Sequence, residues 1–227
     1  MLDGVDLTVA RHERVAVVGP SGGGKSTLLS LVAGLLEPDA GTVRVGGATD
    51  RLAGCALMAQ KDLLLPWRSA LDNAILALEN RGVPRARARE RARPLFTALG
   101  LAGFEEQRPA QLSGGMRQRV AFLRTLLADK DVLLLDEPFG ALDSITRAQM
   151  QDWLRAVLAR EPRTVLLVTH DVEEALLVAD RVAVLSRRPG RIVLELDVDV
   201  AREGPRRSVV TQPDFVELRE RVLEALE

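Results

Sequence analysis

Apolar residues along this chain occur in short continuous runs, and helical periodicity fills much of the sequence between them. Apolar runs of this length, bounded by turn signals, are typical of strands that are buried on both faces of a sheet. Such strands are predicted at residues 15–18, 132–135, 164–169, 182–186 and 192–198. Helices are predicted from about residue 25 to 36 and near residues 145–160. Strands that alternate with helices in this order predict a mostly parallel α/β sheet.

Two further segments complete the predicted architecture. Residues 41–47 alternate apolar and polar side chains between glycines, which predicts a hairpin strand in a small antiparallel β region near the N-terminus. At the other end, the segment from Pro213 to Glu227 has apolar residues at helical spacing and predicts a closing helix packed on the core. Those apolar residues are Phe215, Leu218, Val222 and Leu226.

The middle of the chain departs from the α/β alternation. Residues 69–128 have mainly helical patterns, broken at Gly82, Pro84, Gly100 and Pro109, and predict a helical subdomain inserted into the α/β core. We therefore expect one domain with two parts. The α/β core comprises residues 1–68, with the N-terminal β region, and residues 129–227, and the helical subdomain comprises residues 69–128.

Arginines recur at nearly every second position from Arg81 to Arg93 and allow two interpretations. One is a nucleic-acid surface, and the other is a solvated helix face that follows Pro84. We favour the solvated face, because no aromatic residues are interleaved with the arginines. Pro94 is expected to kink or interrupt this helix, since proline removes a backbone donor and crowds the preceding turn.

Composition then narrows the function classes. Lys and Arg total 31 against 32 for Asp and Glu, so a net charge of −1 removes the electrostatic argument for nucleic acid or an anionic membrane as the main partner. One cysteine and two histidines exclude an internal disulfide and a His-rich or Cys-rich zinc site. No apolar stretch approaches the ~20 residues that span a bilayer, and no signal peptide is recognisable. We expect a soluble chain in a reducing cytosol.

The segment after the first predicted strand carries the clearest chemistry. It matches GxxxxGK[ST] at every fixed position and lies between a strand and a helix, as a phosphate-binding loop requires. Its glycines let backbone N–H groups surround phosphates, Lys25 reaches the β- and γ-phosphates, and the Ser26 hydroxyl ligates Mg²⁺. We therefore predict that the chain binds a nucleoside triphosphate. The loop consists of Gly19, Pro20, Ser21, Gly22, Gly23, Gly24, Lys25, Ser26 and Thr27.

Two other motifs fit the same chemistry. Asp136 and Glu137 end a predicted strand; Asp136 can hold Mg²⁺ through its water shell, and Glu137 can orient or deprotonate the attacking water. Ser113, Gly114 and Gly115 begin a predicted helix, where a hydroxyl and free N–H groups form a second anion site. A plain helix cap would have the same residues, but the company of the other two motifs favours the anion site.

With these motifs in this order, the chain resembles the ATPase subunit of an ABC transporter over nearly its whole length. The family signature is LSGGQ, and this chain has Met116 where glutamine is usual while it keeps the serine and both glycines. The resemblance implies a P-loop NTPase fold with a RecA-like core. It also implies that Gln60 is the Q-loop glutamine that approaches Mg²⁺, that Asp143 belongs to the D-loop, and that His170 is the switch histidine that contacts the γ-phosphate.

The resemblance also implies a dimer and exposes one departure. In this family two ATPase subunits pair head to tail, so that each ATP lies between one phosphate loop and the other subunit's signature. Family members place an aromatic residue upstream of the phosphate loop, where it stacks on adenine, but no Phe, Trp or Tyr precedes Trp67 here. Residues 2–5 resemble a second strand rather than a first, and we expect a start segment of roughly 20 residues to be absent from this sequence.

The segment Leu63-Leu64-Leu65-Pro66-Trp67 is similar to the LLPW segment of importers of nitrate, sulfonate and taurine, and of their relatives that carry pyrimidine thiamine precursors. In importers this stretch lies near the coupling helix of the permease, although Trp67 would equally suit a core position. The resemblance implies an ATP-hydrolysing importer subunit on the cytoplasmic side of the inner membrane. It would be held there by separate permease subunits and would serve a solute-binding protein indirectly, with no nucleic-acid partner.

Other ATPases share these motifs. ABC ATPases of DNA repair and chromosome organisation carry long coiled-coil or zinc insertions between the phosphate loop and the signature, whereas the interval from Lys25 to Ser113 is short and lacks zinc ligands. Translation-type members have two tandem cassettes, and this chain has one. A P-loop kinase would leave the Ser113 motif unexplained. These comparisons favour transport.

Overall fold

The computed structural model describes residues 2–47, 50–202, 204 and 206–227. Met1, with which the predicted domain begins, and residues 48, 49, 203 and 205 lie outside the described residues. Within those residues one sheet contains six strands, in the spatial order β2-β3-β4-β1-β5-β6. The strands are β1 (Arg14–Val18), β2 (Cys55–Met58), β3 (Val132–Asp136), β4 (Thr164–Thr169), β5 (Arg181–Leu185) and β6 (Ile192–Asp197).

The first five strands run parallel, and β6 pairs antiparallel with β5. Side chains alternate between the two faces of the sheet, as the pleat requires. Ala16 and Val18 of β1 belong to one hydrophobic core, and Val15 and Val17 belong to the other. Because every strand from β1 to β5 is buried on both faces, the predicted continuous apolar runs and the mostly parallel α/β sheet are confirmed.

Helices cover both faces of this sheet. None of the helices in the described ranges combines the length and apolar character that a bilayer-spanning segment requires. The helices are α1 (Lys25–Val32), α2 (Arg51–Gly54), α3 (Ala70–Ala74), α4 (Leu76–Asn80), α5 (Arg85–Ala98), α6 (Gly114–Leu127), α7 (Ser144–Arg160), α8 (Val172–Val178), α9 (Arg206–Val209) and α10 (Pro213–Leu226), with a 3₁₀ turn at Pro109–Gln111.

The larger core joins the sheet to the helices between β2 and β3. Phe122 of α6 packs against Phe139, with ring centroids 5.8 Å apart, and against the half-buried Trp153 of α7 at 6.0 Å. The closing helix α10 inserts Phe215 and Val222 into the same core. The helical character of residues 69–128 agrees with the prediction, whereas the boundaries of a separate subdomain stay a prediction.

The predicted hairpin strand at residues 41–47 is wrong. Gly41, Gly46 and Gly47 have positive φ angles of 87°, 56° and 71°, so turns bracket this segment, and residues 42–45 belong to no strand. The strand-like character of residues 2–5 is also not realised, apart from one isolated bridge between Leu2 and Gly190. Residues 5–9 and 42–46 line a cavity of about 690 Å³ and have no sheet partner in the described chain, and a segment without a paired neighbour is not a strand.

Three smaller expectations also need correction. Strand β2 was not predicted, because its four residues mix small and large apolar side chains without a clear period. Helix α1 ends earlier than predicted, since Gly34 has a φ of 77° and turns the chain out of the helix. The helix around Pro94 is not interrupted: α5 continues to Ala98, because Pro94 and Glu90 are exposed and water can satisfy the carbonyl that proline leaves without a donor.

The arginine-rich helix α5 is only partly a solvated face. Arg85 and Arg89 both form ion pairs with the buried carboxylate of Asp72 in α3, while Arg87, Arg91 and Arg93 are exposed. Burial alone would raise the pKa of Asp72, but hydrogen bonds from Arg89 and Arg85 outweigh it and hold that pKa below its ordinary value. Two of these arginines therefore fasten α5 to α3.

A buried carboxyl group links α7 to α8. Glu174 accepts a hydrogen bond from Gln151 Nε2 at 3.3 Å, and its other oxygen, Oε1, is buried with no partner in the described structure. Burial, reinforced by the charge of Asp171, raises the pKa of Glu174 from 4.5 to about 8, and this exceeds the opposite effects of Thr169, Gln151 and Arg147. The carboxyl group is therefore protonated in the folded chain at neutral pH.

This buried acid predicts a pH-dependent stability. Between pH 4.5 and 8 the unfolded chain releases a proton that the folded chain retains, so Glu174 makes the free energy of unfolding fall as the pH rises. We expect Glu174→Gln to remove this slope and to stabilise the protein at pH 8 by at least about 1 kcal/mol, or about 2–4 °C in Tm. Thermal unfolding at pH 5 and pH 8 measures it, and an equal change in Tm at both pH values would contradict the prediction.

Candidate functional site

The order of the strands brings three loops to one edge of the sheet. Strand β4 lies between β1 and β3, with Val18 opposite Thr169 and Asp136 opposite Val168. Since these strands are parallel, their carboxyl ends lie at the same edge, where ligands of α/β sheets bind. The phosphate loop, the acidic pair after β3 and His170 after β4 therefore meet at one site.

The phosphate loop has the backbone that anion binding requires. Gly22 and Gly24 adopt positive φ angles of 79° and 106°, which the predicted glycines allow without strain. Gly24 is also the N-cap of α1 and supplies no side-chain cap. The first N–H groups of α1 lie at the positive end of the helix dipole, where anions bind.

Lys25 occupies the centre of this loop. Its Nζ donates to the carbonyl oxygens of Gly19 at 2.7 Å and Pro20 at 3.0 Å, and the residue is buried. Burial lowers the pKa of Lys25, and the negative charges of Glu137 and Asp136 partly oppose this change. The ammonium group is thus held by neutral carbonyl oxygens, at a position where it can pair with a phosphate chain.

Asp136 and Ser26 form a pair of oxygen donors beside the loop. Asp136 is buried at the end of β3, and burial raises its pKa while a hydrogen bond with the Ser26 hydroxyl lowers it. Carboxylate and hydroxyl oxygens suit a hard cation such as Mg²⁺. The residues present fit the predicted magnesium site, since a divalent cation would offset the cost of ionising this buried acid.

Glu137 is where the loops converge. Its Oε2 accepts a hydrogen bond from Gln60 Nε2 at 3.1 Å, and its Oε1 lies 3.2 Å from His170 Nδ1. The backbone at Glu137 has a φ of 46°, unusual for a residue with a side chain, and its N–H donates to Val168 O at 2.8 Å. Functional sites commonly hold such strained residues. The structure therefore brings Gln60, Glu137 and His170 into direct contact.

The two remaining predicted elements lie apart from the phosphate loop. Ser113 caps α6, because its Oγ accepts from Met116 N at 3.2 Å, and Asp143 caps α7 by accepting from Ile145 N and Thr146 N. Hydrogen bonding to Thr146 lowers the pKa of Asp143. Ser113, Gly114 and Gly115 lie at the start of α6, an element separate from the phosphate loop.

Helix α6 also holds residues 60–63, which we call the Q-loop. The sequence motifs did not reveal these contacts between α6 and the Q-loop. Arg124 donates to the carbonyl oxygens of Leu63 at 2.8 Å and Asp62 at 2.7 Å, and Arg117 Nε donates to the Asp62 carboxylate at 3.0 Å. Burial lowers the pKa of Arg124. The buried Gln118 donates to Glu137 O at 3.3 Å. Polar residues that follow the signature motif on an otherwise apolar helix are the signal that could have identified this network.

Comparison with known proteins places the chain in a family. Residues 2–140 match the family model described as "ABC transporter". The aliphatic sulfonates import ATP-binding protein SsuB 1 of Rhodococcus jostii is 54% identical over 186 residues, covering 82% of this chain and 73% of that protein. The taurine import ATP-binding protein TauB of Chromobacterium violaceum is 46% identical, covering 98% of this chain and 87% of that protein.

A solved structure has the same architecture. The dimeric structure of a post-hydrolysis state of the ATP-binding cassette MJ0796, bound to ADP and Pi, superposes with a TM-score of 0.78 and is 29% identical. The match covers 87% of this chain and 90% of that chain. The fold is therefore that of ATP-binding cassettes.

The anchoring of the Q-loop by α6 can be tested. We expect Arg124→Ala to lower the kcat of ATP hydrolysis about tenfold and to leave ATP affinity within about twofold, because two Q-loop carbonyls lose their donor and Gln60 is held less firmly. Steady-state hydrolysis together with equilibrium nucleotide binding measures both quantities. Arg93→Ala, at an exposed position of α5, is the control. An unchanged kcat, or an equal loss of ATP affinity, would contradict the prediction.

Proposed function

The chain belongs to the ABC transporter family, and on that premise we propose that it is the ATP-hydrolysing subunit of an importer for a small sulfonate such as taurine. The observation that carries the catalytic part is the contact of Glu137 with both Gln60 and His170 at the mouth of the phosphate loop. The substrate class rests on the relatives that bear import names. The family, the ATP-binding-cassette fold and ATP hydrolysis follow from the comparisons already given.

In this proposal the phosphate loop binds the triphosphate of ATP. The N–H groups at the start of α1 and the Lys25 ammonium contact the β- and γ-phosphates. Thr27 is the last residue of the phosphate-loop motif. Ser26, Gln60 and Asp136 would hold Mg²⁺. When bound, Mg²⁺ neutralises the charge that develops on the phosphates during transfer.

Glu137 is the proposed general base. Its carboxylate orients the attacking water and accepts its proton, while His170 contacts the γ-phosphate and, through Nδ1, fixes the Glu137 side chain. Gln60 holds the other carboxylate oxygen and connects it to the Q-loop. A change at the Q-loop would therefore alter the position of the base directly.

The second anion site requires a second copy of the chain. Ser113 and Gly114 are exposed and Gly115 is half-buried, and Asp143 is exposed nearby, so all are accessible to a partner. Solved dimers of an ATP-binding cassette support a homodimer. We propose that ATP is enclosed between one phosphate loop and the partner's signature, and that closure and reopening of this dimer drive the permease.

The catalytic role of Glu137 gives a direct test. We expect Glu137→Gln to lower ATP hydrolysis at least about 100-fold, because the amide cannot accept the proton, while ATP affinity is kept. ATP should then convert the variant into a stable dimer, which gel filtration with and without ATP measures. Glu173→Gln, a substitution of a carboxylate outside the site, is the control. Hydrolysis at the wild-type rate would refute the assignment of the base.

An exposed apolar surface follows the Q-loop and is the proposed contact with the permease. Trp67 is 69% exposed and Leu63 is 61% exposed, so the core interpretation of Trp67 is wrong. The fully buried Asn73 fixes the segment between them, since its side chain accepts from Leu65 N at 2.7 Å and donates to Leu65 O at 3.1 Å. We propose that this surface docks on a permease at the cytoplasmic side of the membrane. A solute-binding protein delivers the solute to that permease.

A transport assay tests the surface and the substrate class together. In cells that express the chain with its permease and solute-binding protein, we expect uptake of radiolabelled taurine or an alkanesulfonate to depend on ATPase activity. Trp67→Glu should reduce uptake at least about tenfold and leave ATP binding unchanged, because a charge would be buried at the contact. Leu223→Glu, at another exposed apolar position, is the control. Normal uptake by Trp67→Glu would contradict the docking surface.

The alternative function, a non-transport ABC ATPase of DNA repair or chromosome organisation, has less support. In the described residues, the interval between the phosphate loop and the signature contains α1 to α5, strand β2 and the 3₁₀ turn, with no long insertion. No cluster of three or more His, Cys, Asp or Glu residues suited to a metal is present in the described ranges. The import relatives match over most of the chain.

A further inference from the structure

The turn between β5 and β6 packs directly against the phosphate loop. This turn, residues 186–191, contains Arg188, whose Nε donates to the carbonyl oxygen of Gly22 at 2.9 Å. Neither the phosphate-loop motif nor the switch histidine includes any residue of this turn. We call residues 186–191 the β5–β6 turn.

The approach of the two backbones is close enough to require glycine. An added Cβ at Gly190 would lie 2.3 Å from Gly23 O, and Gly190 has an ordinary φ, so space alone demands glycine there. An added Cβ at Gly23 would lie 3.0 Å from Ser186 O, and one at Gly19 would lie 2.7 Å from Leu185 O. The GxxxxGK[ST] motif leaves the position of Gly23 open to any residue. The close approach of Ser186 O explains why a residue without a side chain suits this position.

The β5–β6 turn is itself held firmly. Ser186 Oγ accepts from Arg191 N at 3.0 Å and lies 2.9 Å from both Arg187 O and Pro189 O. The N-terminal segment adds a second anchor, because Asp3 N donates to Gly190 O at 3.0 Å and the Asp3 carboxylate pairs with Arg191. A turn fixed on both sides can transmit its position to the loop that it touches.

Peptide planarity gives this contact a consequence for phosphate binding. In a trans peptide the C=O and the following N–H point in opposite directions. The carbonyls of Gly22 and Gly23 face the β5–β6 turn, so the N–H groups of Gly23 and Gly24 face the other way. The Gly23 N–H closes the loop by donating to Pro20 O at 3.1 Å, and Gly24 begins α1. The turn therefore sets the orientation of two peptide groups of the phosphate loop, one that closes the loop and one that leads into α1.

We propose that the β5–β6 turn is a brace for the phosphate loop, with Arg188 and Gly190 as positioning residues that preorganise the cradle and so set nucleotide affinity. The proposal rests on the proposed function of the loop as the ATP site. Neither residue needs to touch the nucleotide. A preorganised cradle binds more tightly, because less conformational entropy is lost when the ligand arrives.

The test compares binding and turnover in variants of the full chain. We expect Gly190→Ala and Arg188→Ala each to raise the Kd and KM for ATP about tenfold with kcat within about twofold, since the loop loses order and the base is unaffected. Arg188→Lys, which keeps a donor for the Gly22 carbonyl, should recover most of the affinity. The matched control is Arg187→Ala, because Arg187 is the exposed neighbour in the same turn and its side chain has no partner in the described structure.

Two further measurements separate the possible outcomes. The Tm without nucleotide should change by less than about 2 °C in Arg188→Ala, whereas a general loss of structure would lower Tm and kcat together and would overturn the brace. Wild-type affinity in both alanine variants would also overturn it. Failure of the wild-type protein itself to bind ATP would refute the proposed function instead, so the two failures are distinguishable.

Discussion

The pairing of β1 between β4 and β5 is the constraint on which the rest of the molecule depends. Because β4 also pairs in parallel with β3, the loops that leave β1, β3 and β4 reach the same edge of the sheet. Side chains from these three loops can then contact one another at this edge. Buried apolar side chains on both faces specify the strand positions, and a shift of one residue would move every side chain to the wrong face.

Charges at this edge are arranged so that the ligand completes the site. Lys25 and Asp136 are both buried, and burial favours the neutral form of each. It lowers the pKa of Lys25 and raises the pKa of Asp136. The bonds that stabilise Lys25 here are to loop carbonyls rather than to a carboxylate. A phosphate chain would therefore offer the Lys25 ammonium a full negative charge in place of these neutral carbonyl partners.

The sequence allowed much of the site to be predicted, for a physical reason. A phosphate loop, a strand ending in acids and a capped helix each depend on local residue types, so the sequence alone was enough to propose Lys25, Glu137 and Ser113 as site residues. Long-range packing could not be identified in this way. Trp67 is apolar but exposed, Arg124 is charged but half-buried, and the segment 41–47 alternates but has no neighbour to pair with in the described chain. In these cases tertiary contacts, absent from any local pattern, decide the outcome.

The placement of the two tryptophans has an optical consequence. The chain has no tyrosine, so its near-ultraviolet fluorescence arises from Trp67 and Trp153. Trp153 is half-buried and packs edge-on against Phe122 at the edge of the larger core, whereas Trp67 is exposed to water beside the Q-loop. The two indoles therefore emit from different surroundings, one reporting the integrity of the core and the other reporting whatever covers the surface beside the ATP site. One unlabelled sample carries a probe of folding and a probe of assembly.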